Sequence, residues 1–315
     1  MLFFLVRRTA ALALTLFVSS AVIFGSLYLV PGDPAIFLAG STKATPDQLD
    51  ALRTEYGLDR SPFTRYVDWL GGAVRGDFGR SLQYHENVGH LLAARVPTTG
   101  LLVIYAGLLI LIMGLLVGMV SALRPGFVDR ILLLGISTSV ATPVFVVAVL
   151  LLGVFAVGLG WFPATGAGDG FMDRLWHLTL PAIALAFSLA GALARIARAS
   201  FVEALGRDHV LVARSRGVPE AEVVRRHVVR NAMGPIATIA GLLIAGLIVS
   251  TTIVENAFGL NGIGALLETS VARQDFPVVQ AISLLVVAAF LVCNTVVDVL
   301  YPFIDPRVAS WKKIS

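Results

Sequence analysis

The sequence predicts an all-α integral membrane protein with six transmembrane helices. Of its 315 residues, 57% are hydrophobic and only 14% are charged, whereas a soluble domain carries about 25% charged residues. The mean hydropathy is +0.85, and the apolar residues are gathered into six long segments with almost no charges. A soluble globule could not cover so much apolar surface, so the surplus must face lipid.

Six segments are long enough to cross a bilayer, because about 20 residues of helix span about 30 Å of hydrocarbon. In lipid every backbone N–H and C=O needs an internal partner, which favours helices. The third segment, residues 131–162, is interrupted by Pro143, and we place its span near residues 142–160. The other five segments are residues 9–30, 99–123, 175–194, 232–254 and 276–297.

The distribution of lysine and arginine predicts that both termini are cytoplasmic. With that orientation, fifteen Lys and Arg residues lie on the cytoplasmic side and two lie in the short outer loops. The long outer segment is left out of this comparison, because long loops are translocated regardless of charge. The predicted parts are an N-terminal segment with the first helix (1–30), an extracytoplasmic region (31–96), a five-helix core (97–305) containing a cytoplasmic loop (195–235), and a cytoplasmic tail (306–315).

The predicted extracytoplasmic region contains two short helices. The sequence "PGDP" at residues 31–34 ends the first span, since proline and glycine break helices. Residues 45–58 predict a helix with Thr45 as its N-cap and Pro46 in its first turn. Residues 66–82 predict a second helix followed by a glycine-rich turn.

Motifs of catalysis and of nucleotide binding are missing from the sequence. "HENVGH" approaches the zinc-protease pattern, but His85 and His90 are five residues apart and would point about 140° apart on a helix. We therefore predict no metal site. The sequence has neither a nucleophile elbow nor a phosphate-binding loop. We predict no catalytic residue and no cofactor in this chain, so any ATP must be bound by another chain.

The densest basic stretch lies between the fourth and fifth predicted spans, where eight arginines fall within residues 195–230. Its second half, residues 217–232, predicts a short helix of its own, with acidic residues before basic ones as the helix dipole favours. Such a stretch could lie on anionic lipid or dock into a groove of a soluble partner, and an ordered helix favours the partner. The expected features are a sharp turn at Gly217, Pro219 in the first turn, and an apolar face of Ala221, Val224 and Val228.

Motifs along nearly the whole chain resemble the transmembrane subunit of dipeptide, oligopeptide and nickel ABC importers. The resemblance lies in the order and spacing of these motifs, each of which is weakly specific alone. They are "VPGDPA" (30–35), "YGLDRSPFTRYVDWLGGAVRGDFGRSL" (56–82), "VPTTGLL" (96–102), "TPVF" (142–145), "HLTLPAIAL" (177–185), "VARSRGVPEAEVVRRHVVRNAMGPI" (212–236), "VENAFGLNGIG" (254–264) and "YPFIDPRV" (301–308).

The resemblance implies a type I importer permease in the bacterial cytoplasmic membrane, forming half of a pathway for short peptides and not catalytic itself. It implies a homologous second permease subunit, two ATPase subunits or domains that bind ATP and Mg, and an extracytoplasmic substrate-binding protein, with no nucleic acid. Residues 212–236 match the coupling loop, whose helix sits in a cleft of the ATPase; Leu211 stands where the general importer motif is acidic. The implied coupling residues are Ala213, Arg216, Gly217, Val218, Glu220, Arg226, His227, Arg230 and Asn231.

Three polar residues near the membrane are candidates for the pathway or its gate. Glu255 follows the fifth span, where it either contacts substrate or is an interfacial carboxylate in water. Asn294 and Asp298 are four residues apart and share a helix face, and ionisable groups in membranes tend to face protein or water. Hydration near the inner surface is the alternative for Asp298. Separately, Gly114 and Gly118 predict a close helix contact.

Two other classes of function stay open at this point. A secondary transporter or channel would be expected to have inverted repeats and charged residues deep in the membrane, and we find neither in the sequence. A membrane-embedded hydrolase would need the catalytic motifs that are missing. Only the importer is expected to stop transporting when a companion ATPase is deleted.

Overall fold

The computed structural model describes residues 2–26, 45–55 and 59–304. These residues are helical apart from their connections and one isolated bridge between Arg80 and Asn87, which confirms the all-α prediction. In chain order the helices are α1 Leu2–Ser26, α2 Pro46–Glu55, α3 Pro62–Val74, α4 Val88–Leu123, α5 Phe127–Ala141, α6 Val144–Gly158, α7 Phe171–Leu205, α8 Asp208–Ser215, α9 Glu220–Ala257, α10 Ile263–Ala272 and α11 Phe276–Ile304.

Five of these helices, α1, α4, α7, α9 and α11, are long and apolar enough to cross a membrane. The third predicted span is a pair, because α5 and α6 meet at a break with a bend of 102°. The prediction of six spans therefore holds when the bent pair counts as one span. The interruption at Pro143 is confirmed, and the helix after it, Val144–Gly158, matches the span placed near residues 142–160. The orientation of the termini stays a prediction.

The break between α5 and α6 is compensated by side-chain hydrogen bonds. The Thr142 hydroxyl donates to the Thr138 carbonyl at 2.7 Å. From α7, the Ser188 hydroxyl donates to the Thr142 carbonyl at 3.2 Å, while the Ser139 hydroxyl donates to the Phe187 carbonyl. Backbone groups freed inside a membrane need such partners, so these bonds let the helix break without leaving the Thr142 carbonyl unpaired.

The chain divides into two compact units, Met1–Pro97 with Ala265–Ala289 and Thr98–Gly264 with Phe290–Ser315. In the second unit, α7 is the central helix and packs against α5, α6 and α9. Of the 18-residue apolar stretch of α7, 61% is buried. Fully buried leucines and isoleucines from α4, α7 and α9 form the core around it, namely Leu102, Ile110, Leu178, Leu185, Leu193, Ile236 and Leu247.

The predicted small-residue contact on α4 is present and its partner is α7. A Cβ atom at Gly114 would lie 2.8 Å from the Leu193 side chain, and one at Gly118 would lie 2.7 Å from the Ala197 Cβ. Both distances are too short for real carbon atoms, so glycine at these positions is what permits the close approach. The G-x-x-x-G motif is thus used for helix packing.

In the first unit, local signals set the helix starts. The Thr45 amide donates to the Gln48 side chain at 3.0 Å and the Gln48 amide donates to the Thr45 hydroxyl at 3.4 Å, a reciprocal capping box that confirms the Thr45 cap. The next helix, α3, begins at Pro62 rather than at residue 66, because the Ser61 hydroxyl caps it. The break predicted at residues 31–34 and the end of the 45–58 helix lie outside the described residues.

The turn after α3 is held by one buried carboxylate. Asp275, which directly precedes α11, accepts hydrogen bonds from the Ser81 hydroxyl at 2.5 Å and from the amides of Leu82 and Gln83 at 3.1 and 3.2 Å. The Ser81 hydroxyl in turn accepts from the Tyr84 amide at 2.9 Å. All these residues belong to the first unit, so the bonds join its two chain segments.

Candidate functional site

The basic stretch between α7 and α9 folds around a glycine that ends α8. Gly217 has a φ of +75°, its amide donates to the Arg214 carbonyl at 2.9 Å, and the Val218 amide donates to the Ala213 carbonyl at 3.2 Å. This pair of bonds is a Schellman motif, which uses a left-handed residue directly after the helix cap. The sharp turn predicted at Gly217 is confirmed.

An ion pair spans the same turn. Arg214 Nε donates to Glu220 Oε2 at 3.0 Å, and Arg214 Nη2 donates to Glu220 Oε1 at 2.5 Å. These hydrogen bonds to the carboxylate raise the pKa of the Arg214 guanidinium. The two-bond geometry fixes the start of α9 against the end of α8. We did not predict this pair from the sequence, although opposite charges on either side of a Gly-Val-Pro turn are a usable signal.

The predicted independent helix is instead the first part of α9. The helix begins at Glu220 after Pro219, which is the N-cap rather than a first-turn residue, and runs to Ala257 without a break. Residues Val224–Val229 within it form a π-helical turn. No glycine or proline separates Glu220 from Ala232, so nothing in the sequence ends the helix before the span begins.

The π-helical turn also changes which residues form the apolar face. Val223 and Val228 are fully buried, while Ala221 is exposed and Val224 is half-buried. The predicted face of Ala221, Val224 and Val228 is therefore wrong, since it assumed α-helical spacing. In a π-helix the hydrogen bonds run from residue i to residue i+5. The turn is therefore wider than in an α-helix, and the buried residues are Val223 and Val228. They belong to one buried cluster with Val210 of α8.

Some of the implied coupling residues belong to this buried cluster, and the others lie at the surface. Ala213 is buried, and Val218 packs against the core. Next to Ala213, the side chains of Leu211 and Val212 are 55% and 48% exposed, so two apolar residues stand on a largely basic surface. Of the remaining implied residues, His227 and Asn231 are half-buried, and Arg216, Gly217, Glu220, Arg226 and Arg230 are exposed.

A polar cleft lies where the end of α7 meets α9. Asn231 Nδ2 lies 3.1 Å from His209 Nε2 and donates to the His227 carbonyl at 2.5 Å, and the two imidazole rings are 5.9 Å apart. The cleft has a volume of about 240 Å³. His209 lies 22 residues before Asn231 and outside the motif, so no local pattern indicates this contact. The residues that line the cleft are Ser200, Glu203, Ala204, Arg207, His209, Asn231, Ala232 and Pro235.

Near the other end of α9, Glu255 is fully buried. Its carboxylate accepts from the Thr99 hydroxyl at 2.6 Å and from the Gly264 amide at 2.8 Å. The Thr99 hydroxyl oxygen in turn accepts from the Ile263 amide at 2.8 Å. The alternative of an interfacial carboxylate in water is therefore wrong for Glu255, because its carboxylate is paired with protein groups inside the second unit.

Glycines let the loop after α9 fold over this carboxylate. A Cβ atom at Gly262 would lie 2.2 Å from the Glu255 carboxyl carbon, and one at Gly264 would lie 2.5 Å from the Thr252 Cα. The Leu260 amide closes the loop by donating to the Glu255 carbonyl at 2.8 Å. Any side chain at Gly262 or Gly264 would force the loop away from α9.

The other two pathway candidates lie on α11. Asn294 is half-buried and its amide donates to the Phe290 carbonyl of its own helix at 3.0 Å. The side chain of Asp298 lies outside the described part of the structure, so the shared face of the two residues stays a prediction. Within residues 2–26, 45–55 and 59–304, no three His, Cys, Asp or Glu residues are grouped as ligands of a metal ion would be.

One further ionic contact, which we did not predict, joins three helices of the second unit. Arg198 of α7 donates from Nε to Asp129 Oδ1 at 2.8 Å and from Nη2 to Oδ2 at 2.7 Å. The Ser121 hydroxyl of α4 also donates to Asp129. Asp129 and Arg198 are 69 residues apart, so local sequence patterns could not pair them.

Known proteins resemble the chain over nearly its whole length. Residues 114–310 match the family described as "Binding-protein-dependent transport system inner membrane component", and residues 1–103 match the N-terminal domain of the same membrane component. The glutathione transport system permease protein GsiC of Escherichia coli (strain K12) is 36% identical over 309 residues, which cover 98% of this chain and 99% of the relative. GsiC of Shigella flexneri serotype 5b (strain 8401) has the same identity and coverage.

Solved structures share the fold. The MetNI methionine ABC transporter in an inward-facing conformation superposes with a TM-score of 0.55 and 17% identity, covering 68% of this chain and 96% of the other chain. An amino acid ABC transporter matches with a TM-score of 0.53 and 19% identity, covering 67% and 92%. Together with the apolar helices, the family match and the GsiC relatives identify a multi-pass inner membrane protein of bacteria. The chain belongs to the binding-protein-dependent transport system inner membrane components, and it is a permease subunit of an ABC importer.

Proposed function

We propose that residues 208–236 form the surface on which a partner ATPase drives this permease. The observation that carries the proposal is the continuous helical connection from this surface to a membrane helix. α8 is fixed to the start of α9 by the Gly217 turn and by the Arg214–Glu220 ion pair. α9 then continues without a break for 38 residues, so a displacement of the surface is passed on to the span.

The mechanism needs two states of the membrane helices and a force that selects between them. ATP would bring two ATPase subunits together, and the docked α8–α9 surfaces would move with them. A flexible loop would absorb such a displacement by bending. The buried contacts of Val210, Val223 and Val228 keep α8 and the start of α9 moving as one body.

The surface has the composition of a protein interface. Leu211 and Val212 are exposed on a segment that also exposes Arg216 and Arg226, and apolar residues with arginine are typical of protein–protein contacts. Leu211 stands where the general importer motif has an acidic residue. We therefore propose that the ATPase cleft facing this chain is apolar at that point.

The partners follow from the incomplete pathway and from the absence of a nucleotide motif in the sequence. One permease chain forms half of the pathway, a homologous second subunit forms the other half, and two ATPase subunits or domains bind ATP and Mg. An extracytoplasmic binding protein delivers the substrate. We propose short peptides as the substrate class, because the relatives are named as glutathione permeases and glutathione is a tripeptide. Asn294 and Asp298 stay proposals for the pathway.

The docking surface is tested by substituting Leu211. We expect Leu211→Gln to lower the amount of ATPase recovered with the tagged chain by about tenfold, which corresponds to a loss of about 1.4 kcal/mol of binding free energy. Peptide uptake should fall by a similar factor. Leu211→Met is the matched control, because it keeps an apolar side chain of similar size, and it should retain both.

Two outcomes would count against the proposal in different ways. The Leu211→Gln variant and the unchanged chain are compared at equal amounts in the membrane. If both recover the same amount of ATPase and take up peptide equally, docking at Leu211 is excluded. A tagged chain that brings no ATPase from its native membrane, under conditions that keep other importers intact, would exclude the partner itself. The substrate class is tested separately, by comparing the uptake of labelled glutathione with the uptake of labelled dipeptides.

A further inference from the structure

Helix α3 has an apolar face that no other described part of the first unit covers. Phe63, Val67 and Val74 are 75%, 49% and 81% exposed. Positions four and eleven residues apart fall within about 40° of each other on a helix, so the three side chains form one stripe. Exposed apolar stripes of this kind mark a surface that meets lipid or protein.

A second side of α3 is polar. Asp68 pairs with Arg60 at 3.4 Å, and Thr64 also lies on the exposed polar side. The apolar and polar sides are thus separated around the helix axis. A helix with an apolar side separated from a charged side is typical of helices lying in a membrane interface.

A third side of α3 packs against α1, a candidate membrane span. The Tyr66 hydroxyl lies 2.8 Å from the Ser20 hydroxyl, and the rings of Tyr66 and Trp69 lie 5.5 and 5.8 Å from the Phe24 ring. Phe17 also contacts the Tyr66 ring, with centroids 6.2 Å apart. The contact therefore runs along about two turns of α1, from Phe17 to Phe24.

This packing fixes the depth of α3 relative to α1. The α1 residues that contact α3, from Phe17 to Phe24, are spread over seven residues, which is about 10 Å along the helix axis. Interfacial helices bury their apolar face by about 5–10 Å into the boundary between headgroups and acyl chains, and a helix that packs along the side of a span, rather than beyond its end, can reach that boundary. Tyrosine and tryptophan are enriched there, as Tyr66 and Trp69 are on α3.

We propose that α3 lies in the membrane interface, with Phe63, Val67 and Val74 among the lipid acyl chains of the leaflet in which α1 ends. The apolar stripe then continues the lipid-facing surface of α1, whose Val18 and Val22 are also exposed. The predicted extracytoplasmic region is accordingly not wholly in water, because α3 anchors it to the bilayer.

The test uses the full-length chain with the subunits that copurify with it, reconstituted in lipid nanodiscs. Cys293 is the only cysteine of the sequence, so Cys293→Ala gives a background for single labels. The environment-sensitive fluorophore NBD is attached in Val67→Cys or Val74→Cys, and in Asp68→Cys or Thr64→Cys as matched controls on the polar side. Quenching is measured with doxyl groups on the lipid acyl chains and with iodide in water.

We expect doxyl quenching at positions 67 and 74 to exceed that at positions 64 and 68 by about twofold or more, with the reverse order for iodide, as for an interfacial helix. Equal iodide quenching at positions 67 and 68 would show that α3 lies in water and overturn the proposal. Protection of position 67 from both quenchers would show that protein covers the stripe, which also overturns it.

A second measurement avoids substitutions altogether. Lipids with a photoactivatable diazirine on the acyl chain are added to the unaltered protein, and peptides spanning residues 61–75 are analysed by mass spectrometry. Labelling at Phe63, Val67 or Val74 but not at Thr64 or Asp68 is the expected result. The absence of lipid adducts on this peptide, while α1 is labelled, would overturn the proposal even if the cysteine variants did not fold.

Discussion

At Glu255, a single buried carboxylate holds a loop to two distant parts of the chain. Its oxygens accept from Thr99, 156 residues earlier, and from Gly264, nine residues later. A buried charge is tolerated only when hydrogen bonds replace its hydration. Gly262 allows the loop to approach the carboxylate closely. We therefore propose that Glu255 positions the loop after α9, in place of the substrate contact considered from the sequence.

We predict that Thr99→Val destabilises the chain by about 2–4 kcal/mol, since it removes the hydroxyl that donates to the Glu255 carboxylate and accepts from the Ile263 amide. Valine has nearly the shape of threonine, so packing is retained. Thermal unfolding of the purified protein measures the effect. Thr98→Val is the matched control, because Thr98 is also buried but makes neither of these bonds. Equal stability of the two variants would contradict the role assigned to the Glu255 network.

At Gly217, backbone conformation rather than space excludes other residues. No heavy atom lies within 4 Å of the position that a Cβ would take, while φ is +75°. Most L-residues lose about 1–2 kcal/mol in this region, whereas asparagine tolerates it.

We predict that Gly217→Val speeds hydrogen exchange of the Val218 amide by about tenfold, corresponding to about 1.4 kcal/mol, and lowers transport. Gly217→Asn should keep the amide protected. Unchanged protection in Gly217→Val would mean that the left-handed residue does not hold the turn. Loss of transport in Gly217→Asn with the amide still protected would instead mean that a partner fills the space above Gly217.

At the scale of elements, the close approach of α4 and α7 depends on two glycines, and the same helix supplies its own control. A Cβ at Gly118 would lie 2.8 Å from the Ala194 carbonyl oxygen, which cannot move without displacing α7. A Cβ at Gly107 would meet only side chains at 3.7 Å or more, which is ordinary van der Waals contact.

We predict that Gly118→Ala destabilises the protein by about 1–3 kcal/mol, the usual cost of forcing an extra methyl group into a packed contact. Gly107→Ala should be neutral or stabilising by up to about 1 kcal/mol, because alanine favours helix. The fraction of monodisperse protein left after heating in detergent compares the two. A Gly107→Ala variant as unstable as Gly118→Ala would contradict this account of the contact.

Sequence patterns predicted those elements whose signals are local. The spans followed from runs of apolar residues, the α2 cap from Thr45, the turn from Gly217, and the α5–α6 break from Pro143. The predicted apolar face near the start of α9 was wrong, because a π-helical turn changes the backbone hydrogen-bond spacing from four residues to five. The pairs Arg198–Asp129 and Thr99–Glu255 join residues 69 and 156 positions apart, and only tertiary packing brings them together.

At the scale of the whole molecule, the bent pair α5–α6 decides on which side of the membrane the second half of the chain lies. If the pair crosses the membrane, the stretch around α8 lies on the same side as the α4–α5 connection. If the pair enters and leaves by the same face, that stretch lies on the side of the α2–α3 connection. The second arrangement would place the densest arginine cluster outside, against the distribution of charge in membrane proteins.

We therefore predict that the pair crosses and that both termini are cytoplasmic. In the Cys293→Ala background, single cysteines replace four exposed charged residues, Asp59, Arg124, Asp169 and Arg216. An impermeant maleimide added to right-side-out vesicles should label the cysteines at 59 and 169 and leave those at 124 and 216 unlabelled until the membrane is opened. Labelling of 216 together with 59, while 169 stays protected, would make α5–α6 a re-entrant pair, and the basic surface of α8 could then not meet a cytoplasmic ATPase.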